Sequence, residues 1–126
     1  LGCAHAVRWL GFREDVQQLL ALTDIVILPS DTEPFGMVLI EAMAAGKPVI
    51  ATRAAGPTEI VNDGETGLLV PIGDAGALAE AACTLLADAT RAKQMGRAGR
   101  ARAEEMFDIS RLVEQLYGVY DSLCAG

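Results

Sequence analysis

The sequence predicts an α/β fold in which a parallel sheet is flanked by helices and followed by a helical tail. Short apolar runs alternate with helical patterns up to about residue 72, as in βαβ units. From residue 73 onward only helical periodicity continues. Apolar residues make up 52% of the 126 residues, enough for one core, and no linker or repeat divides the chain. We therefore predict a single domain, with an α/β core at 1–72 and C-terminal helices at 73–126.

The α/β part contains alternating strands and helices. Four apolar runs bounded by Gly, Pro or turn residues are predicted to be strands: 6–10, 25–28, Val49–Thr52 and Gly67–Val70. Three segments between them are predicted to be helical: 14–22, 36–45 and a short turn at 57–61. Gly46 suits the C-terminal stop of the second helix, and Pro57 suits the first turn of the third.

The C-terminal part is predicted to form three helices. Asp74 can cap the first, in which four apolar residues share one face: Leu78, Ala82, Leu85 and Leu86. The other two helices are predicted at 91–106 and 110–123. Five basic side chains near the second helix are interpreted as a solvated surface: Arg91, Lys93, Arg97, Arg100 and Arg102.

Charge and composition narrow the possible functions. The net charge of −7 argues against an extended nucleic-acid surface. The three cysteines are scattered without paired or metal-like spacing, which favours a reducing compartment. Neither a signal-peptide pattern nor an uncharged apolar run of about 18 residues is evident. We therefore expect a cytoplasmic protein, and the start at Leu1 instead of Met suggests a piece of a longer chain.

The segment from Glu33 to Glu41 is the strongest candidate for a functional site. Every residue at 37–45 except Glu41 is apolar, which predicts a helix buried on all sides that carries one charge. A buried charge is unfavourable unless something compensates for it. We therefore expect Glu41 either to pair with Lys47 or Arg53 inside the fold, or to accept hydrogen bonds from a ligand.

The residues ahead of this helix suit an anionic ligand. Pro34 disfavours helical geometry at Glu33, so Glu33 belongs to the preceding loop. Four first-turn amides would lack an intrahelical acceptor and would favour phosphate or polar oxygens: those of Phe35, Gly36, Met37 and Val38. Gly36 would also let a ligand approach the backbone closely. Taken alone, Glu33 fits equally well as a carboxylate that stabilises a helix N-terminus.

The position of this segment supports a ligand site. It follows the carboxyl end of the predicted strand at 25–28, the edge at which open α/β sheets bind ligands. The loop at 53–56 follows the next strand along the chain and is small and glycine-containing. Phosphate near the free amides and polyol hydroxyls near the two carboxylates would fit this arrangement.

The ordered motifs resemble the donor-binding domain of retaining glycosyltransferases of family four, the glycosyl transferases group 1 type. The resemblance runs from about Val7 to Tyr120. Its motifs are GF at 11–12, TDIVILPS at 23–30, a Glu-x7-Glu element at 33–41, AMAAGKPVIA at 42–51, AGPTEIV at 55–61 and GETGLLV at 64–70. The chain departs from the family at Ala55, where a second glycine is common beside Gly56.

The resemblance implies a function and a site. The fold would be the Rossmann-like C-terminal domain of a two-domain GT-B enzyme, which transfers a hexose from a UDP-, GDP- or ADP-sugar to an acceptor hydroxyl with retention. Glu33 would contact the transferred sugar and assist catalysis, and Glu41 would bind the ribose hydroxyls. The amides at 35–38 would hold sugar hydroxyls and diphosphate. The family works without a bound metal, so we expect neither a metal nor another cofactor.

The resemblance also implies that part of the enzyme lies outside this chain. The N-terminal acceptor domain and the first strands of the donor domain would be missing, so the chain alone is expected to be inactive. The strand at 25–28 would then expose an unpaired, apolar edge. We predict self-association through this edge, for example as a homodimer.

Two alternatives remain open from the sequence. One is a noncatalytic module that binds a nucleotide or a sugar without turnover. The other is a receiver-type signalling domain with Asp31 as phosphoacceptor, although Pro29 occupies the strand end where that aspartate is expected.

Overall fold

A computed structural model describes residues 2–125 and shows a parallel sheet flanked by helices. The sheet contains three strands in the order β1-β2-β3: β1 (Val26–Leu28), β2 (Val49–Thr52) and β3 (Gly67–Val70). Around and after it lie a short 3-10 helix at Ala4–Ala6 and the α-helices α1 (Val16–Leu22), α2 (Met37–Ala44), α3 (Ala55–Ile60), α4 (Ala75–Ala87), α5 (Ala89–Met106) and α6 (Ile109–Cys124). The predicted fold class is confirmed.

The middle strand β2 is buried along its whole length because helices cover both faces of the sheet. Successive side chains of a strand point to opposite faces, so β2 contributes to two clusters. Val49 packs in the cluster that contains Leu39, Met43 and Ile60 of α2 and α3. Ile50 packs in the other cluster, with Val70, Leu85 and Met95. The core thus fixes α2 and α3 on one face of the sheet.

Most predicted elements are confirmed, with small shifts at their ends. β2 and β3 have the predicted bounds, and β1 begins one residue later, at Val26. The helix predicted from residue 14 begins at Val16 instead, after the N-cap residue Asp15, whose carboxylate pairs with Arg13 and makes no capping hydrogen bond. Asp74 caps α4 as predicted, since its side chain accepts a 2.9 Å hydrogen bond from the amide of Ala77.

The strand predicted at 6–10 is wrong. Residues 4–6 form the 3-10 helix, and residues 7–10 have no regular structure. A strand needs a neighbour for its backbone groups, and none lies beside this segment within residues 2–125. Trp9 is accordingly 93% exposed. The pattern of apolar residues was present here, but the pairing partner was not.

The prediction that α2 is buried on all sides is also wrong. Leu39, Ala42 and Met43 face the core, whereas Met37 is 58% exposed and Glu41 is exposed. A helix packs with one face unless other elements cover the rest, and nothing in the described part of the chain covers this side. Apolar composition alone does not ensure burial.

The last helix leaves its apolar side uncovered. Leu112, Leu116, Val119 and Leu123 follow one side of α6, as predicted, and all are exposed in the structure. Of the helices within residues 2–125, none combines the length and the apolar character needed to cross a bilayer.

Candidate functional site

The candidate site lies at the carboxyl edge of the sheet, as predicted. The loops after β1 and β2 meet there and line an open cavity of about 360 Å³. It is lined by Asp31, Thr32, Glu33, Pro34, Arg53, Ala54, Ala55 and Ile72. The two segments that the sequence placed at this edge therefore share one cleft.

Glu33 lies in the loop ahead of α2, as predicted, and is half-buried. Its Oε1 accepts a 3.3 Å hydrogen bond from the amide of Phe35, two residues further on. Its carbonyl oxygen accepts a 3.0 Å hydrogen bond from the amide of Gly56 in the first turn of α3, directly after the second loop. Glu33 thus lines the cavity with a backbone that is held by both loops.

The helix α2 begins at Met37 with Gly36 as its N-cap residue. Gly36 has φ of 101°, a left-handed conformation that favours glycine. A Cβ there would lie 3.3 Å from Cδ1 of Leu39, so the missing side chain would face the core instead of a ligand. The expectation that Gly36 opens the backbone to a ligand is corrected: its conformation explains the glycine.

Three of the four amides predicted to be free are unpaired among the described residues. Within residues 2–125, the amides of Gly36, Met37 and Val38 have no hydrogen-bond acceptor. The amide of Phe35 is bonded to Glu33 in this structure, so its inclusion among the free donors is wrong here. Free first-turn amides and the positive end of the helix dipole favour an anion or a polar oxygen.

The ion pairs considered for Glu41 are absent among the described residues. Lys47 donates its ammonium group to the carbonyl oxygen of Ala21 at 2.8 Å. Arg53 pairs instead with Asp63. Because Glu41 is exposed, its charge is solvated and needs no buried partner. It lies four residues after Met37, so both are on the same exposed face of α2.

The two loops of the cleft are in close contact at Gly56. A Cβ on Gly56 would lie 2.2 Å from the carbonyl oxygen of Phe35, so only glycine fits. Ala55 is the first residue of α3 and has no left-handed backbone conformation. The alanine at this position is therefore accommodated, while the glycine after it is required by packing.

The guanidinium group of Arg53 at the cleft pairs with the carboxylate of Asp63. The sequence did not predict this contact. The Oδ1 of Asp63 accepts a 2.9 Å hydrogen bond from the amide of Leu69 in β3, and its Oδ2 pairs with Arg53. Arg53 lines the cavity beside Glu33. No local spacing signals this pair, because the two residues are brought together by the packing of α3 between them.

The interpretation of Arg102 as part of a solvated surface is wrong. Its Nε donates to the carbonyl oxygen of Ile60 at 2.7 Å, and its Nη2 donates to that of Glu59 at 2.9 Å. Both acceptors belong to the C-terminal end of α3. The other basic residues of the predicted series on α5 are exposed, as predicted.

The predicted site residues divide into two neighbouring places. Glu33 lines the cavity, whereas the amides of α2 and the exposed face with Glu41 lie outside its lining. Within residues 2–125, no group of three or more His, Cys, Asp or Glu side chains is arranged to hold a metal. The roles of these residues and the absence of a metal from the reaction stay predictions.

Comparison with known proteins matches this chain to a family of glycosyl transferases. The family model described as "Glycosyl transferases group 1" matches residues 1–102. The chain is 40% identical over 114 residues to N-acetyl-alpha-D-glucosaminyl L-malate synthase of Bacillus anthracis, covering 90% of this chain and 30% of that protein. It is 37% identical over 125 residues to phosphatidyl-myo-inositol mannosyltransferase of Mycobacterium leprae, covering 97% of this chain and 33% of that protein.

Solved structures share the fold over nearly the whole chain. Sucrose-phosphate synthase of Thermosynechococcus elongatus matches with a TM-score of 0.90 at 39% identity, covering 97% of this chain and 31% of that one. Anabaena HepE in complex with UDP matches with a TM-score of 0.92 at 36% identity, covering 96% and 34%. The same protein was also solved with UDP-glucose. The chain thus spans about a third of the length of these relatives.

Proposed function

Because the chain belongs to the glycosyl transferases group 1 family, we propose that it is the nucleotide-sugar-binding part of a retaining glycosyltransferase. The enzyme would transfer a hexose from a UDP-, GDP- or ADP-sugar to an acceptor hydroxyl. The receiver-type alternative is dropped, since the relatives are named as glycosyltransferases and synthases.

The observation that carries the proposal is the position of Glu33 in the cleft. It lines the cavity at the carboxyl edge of the sheet, immediately before the free amides of Gly36, Met37 and Val38. In the proposed complex, these amides bind diphosphate or sugar oxygens, which gain from the helix dipole. Glu33 contacts the transferred sugar, and Phe35 contributes to the wall of the donor site.

Glu41 is proposed to bind the ribose of the nucleotide. Its carboxylate is exposed and unpaired within the described residues, so it can accept two hydroxyl hydrogen bonds without first breaking an ion pair. Hydrogen bonds to a charged group contribute about 1.5–3 kcal/mol each, which makes this carboxylate a substantial part of donor affinity. The solvation of the free carboxylate reduces that gain.

Retention, metal independence and inactivity of the isolated chain form part of the same proposal. The leaving diphosphate would help the acceptor hydroxyl lose its proton on the same face of the sugar, and Glu33 would not act as a nucleophile. An N-terminal acceptor domain would complete the cleft. Transfer assays on the full-length parent separate this enzyme from a noncatalytic binding module, which would show affinity without turnover.

Titration with nucleotide sugars tests donor binding directly. We expect UDP-, GDP- or ADP-glucose to shift backbone amide signals in NMR spectra at residues 33–41 and 53–56. Replacing Glu41 with glutamine should raise the Kd about tenfold through loss of charged hydrogen bonds. Glu80→Gln, at an exposed position on α4, is the matched control and should leave the Kd unchanged.

Three results would contradict parts of the assignment. Shifts confined to surfaces away from both loops would place the ligand elsewhere. An unchanged Kd in the Glu41→Gln variant would remove the ribose contact. In the full-length parent, Glu33→Gln should lower kcat with little change in KM, and full activity of that variant would end the catalytic role of Glu33.

Self-association through β1 is proposed as a second property of the isolated chain. β1 pairs with β2 alone within the described residues, and Ile27 on it is 40% exposed. An unpaired edge with apolar side chains favours pairing with another chain. Light scattering should show a mass that rises with concentration, and a constant monomer mass would refute this.

A further inference from the structure

Arg102 connects α5 to α3, two helices that are far apart in the sequence. From α5 it donates two hydrogen bonds, at 2.7 and 2.9 Å, to the carbonyl oxygens of Ile60 and Glu59. The last carbonyls of a helix have no intrahelical donor, and a cation there also gains from the helix dipole. Since its side chain is half-buried and both bonds are charge-assisted, Arg102 fixes the C-terminal end of α3.

The opposite end of α3 contacts the loop that carries Glu33. The amide of Gly56 donates to the carbonyl oxygen of Glu33 at 3.0 Å. Ile60 is fully buried, and its Cδ1 lies 3.5 Å from the position that a Cβ of Gly36 would occupy. A shift of α3 therefore moves the backbone on both sides of Phe35.

The helix α5 is itself held closely against α2 and its C-terminal turn. A Cβ on Gly96 would lie 2.2 Å from the carbonyl oxygen of Gly46, and one on Gly99 would lie 3.3 Å from Cγ of Met43. Glycine at both positions lets the two helices approach. The same helix thus contacts α2 by close packing and α3 through Arg102.

We propose that Arg102 is a positioning residue for the donor site. It sets the position of α3 relative to α2 and thereby the position of the Glu33 loop between them. Arg102 reaches the end of α3 opposite Gly56, so it does not touch the donor itself. The ligand-binding part of this inference rests on the proposed function, whereas the coupling from Arg102 to the loop does not.

The test compares three variants of Arg102 with a control on the same helix. Arg102→Ala removes both hydrogen bonds, and Arg102→Lys and Arg102→Gln each keep a single donor group. Arg97→Ala is the control, because Arg97 is exposed and makes no side-chain hydrogen bond within residues 2–125. Amide NMR spectra are recorded first without ligand and then during titration with UDP.

In the ligand-free spectra, Arg102→Ala should shift the amide signals of Gly56 and Gly36, while Arg97→Ala should not. The Kd for UDP, measured where each variant is fully folded by circular dichroism, should rise about tenfold in Arg102→Ala. Arg102→Lys should restore part of the affinity. If Arg102→Ala does not fold, Arg102→Lys and Arg102→Gln carry the same comparison with smaller expected changes.

Unchanged signals of Gly56 and Gly36 in a folded Arg102 variant would overturn the proposal, whether or not UDP binds. Shifted signals with an unchanged Kd would overturn the positioning of the donor site. If the wild-type chain binds no nucleotide while Arg102→Ala still shifts both signals, the proposed function fails and the coupling to the loop stands.

Discussion

Replacing Gly56 with alanine tests how closely the two loops of the cleft approach each other. The added Cβ would lie 2.2 Å from the carbonyl oxygen of Phe35 and 2.5 Å from its carbonyl carbon. These are backbone atoms, so no side-chain rotation relieves the overlap. Restoring an ordinary contact requires the loops to separate by about 1 Å, a distance that would also stretch the hydrogen bond from Gly56 to Glu33.

The expected energy combines two opposing effects. Overpacking costs about 1–3 kcal/mol, while alanine in place of glycine within a helix gains about 0.5–1 kcal/mol. We expect a net loss of up to about 2.5 kcal/mol in the free energy of unfolding, measured by urea denaturation. Under the proposed catalytic role of Glu33, a displacement of about 1 Å at this residue should lower the turnover of the full-length parent by about a hundredfold.

Gly118→Ala is the matched control in α6. Within residues 2–125, no atom other than its chain neighbours and the nearby backbone of α6 lies within 4 Å of the position of its Cβ, so only helix propensity acts. This variant should be more stable than the wild type by about 0.5–1 kcal/mol. If Gly56→Ala were as stable as Gly118→Ala and left the NMR signals of Phe35 in place, the close contact between the loops would be wrong.

Three further predictions follow from contacts around the sheet and tail. Gly96→Ala should lower the free energy of unfolding by about 1–3 kcal/mol, because its Cβ would overlap backbone, and urea denaturation measures this. Asp63→Ala should cost about 1 kcal/mol in the same assay through loss of the hydrogen bond to the amide of Leu69, and Asp63→Asn should cost less. The hydrogen bond from the amide of Ser110 lowers the pKa of Asp108 at the start of α6. The contribution of the Asp108 carboxylate to stability is fully present above its unfolded-state pKa and is lost as the pH falls through its folded-state pKa. A carbon-detected NMR titration should therefore place the midpoint of Asp108 below the ordinary value of an aspartate carboxyl group.

Each of these has a clear contrary result. A wild-type stability in Gly96→Ala would mean that α5 does not approach α2 as closely as described. Equal losses of stability in the alanine and asparagine variants of Asp63 would show that the hydrogen bond from the amide of Leu69 to Oδ1 does not stabilise the fold. A midpoint of Asp108 at or above the ordinary carboxyl value would show that the helix cap is not formed.

The sequence predicts the sheet well where burial is complete and local signals bound the element. β2 and β3 are apolar runs between turn residues, and both lie in the covered part of the sheet, so their bounds could be predicted. The run at 6–10 has a similar composition but lacks a neighbouring strand within residues 2–125. Strand formation depends on such a distant partner, which composition does not report.

The sequence predicts where the residues of the site motif lie along the chain, but it predicts less well which other residues surround them. Proline chemistry places Glu33 in the loop correctly, and the free amides follow from the start of α2. The environment of Glu41 is not predictable, since exposure depends on which elements cover α2. Arg102 has no local feature that separates it from Arg100, because its acceptors lie more than 40 residues away in the chain.

On α2, the residues that pack in the core are different from the residues that face solvent. Met37 and Glu41 take no part in the core, which the helix reaches through Leu39 and Met43. Surface substitutions of this kind usually change stability by less than about 0.5 kcal/mol. Under the proposed role of Glu41 in donor binding, variation on the solvent-facing side would change the affinity for the donor while the fold tolerates it.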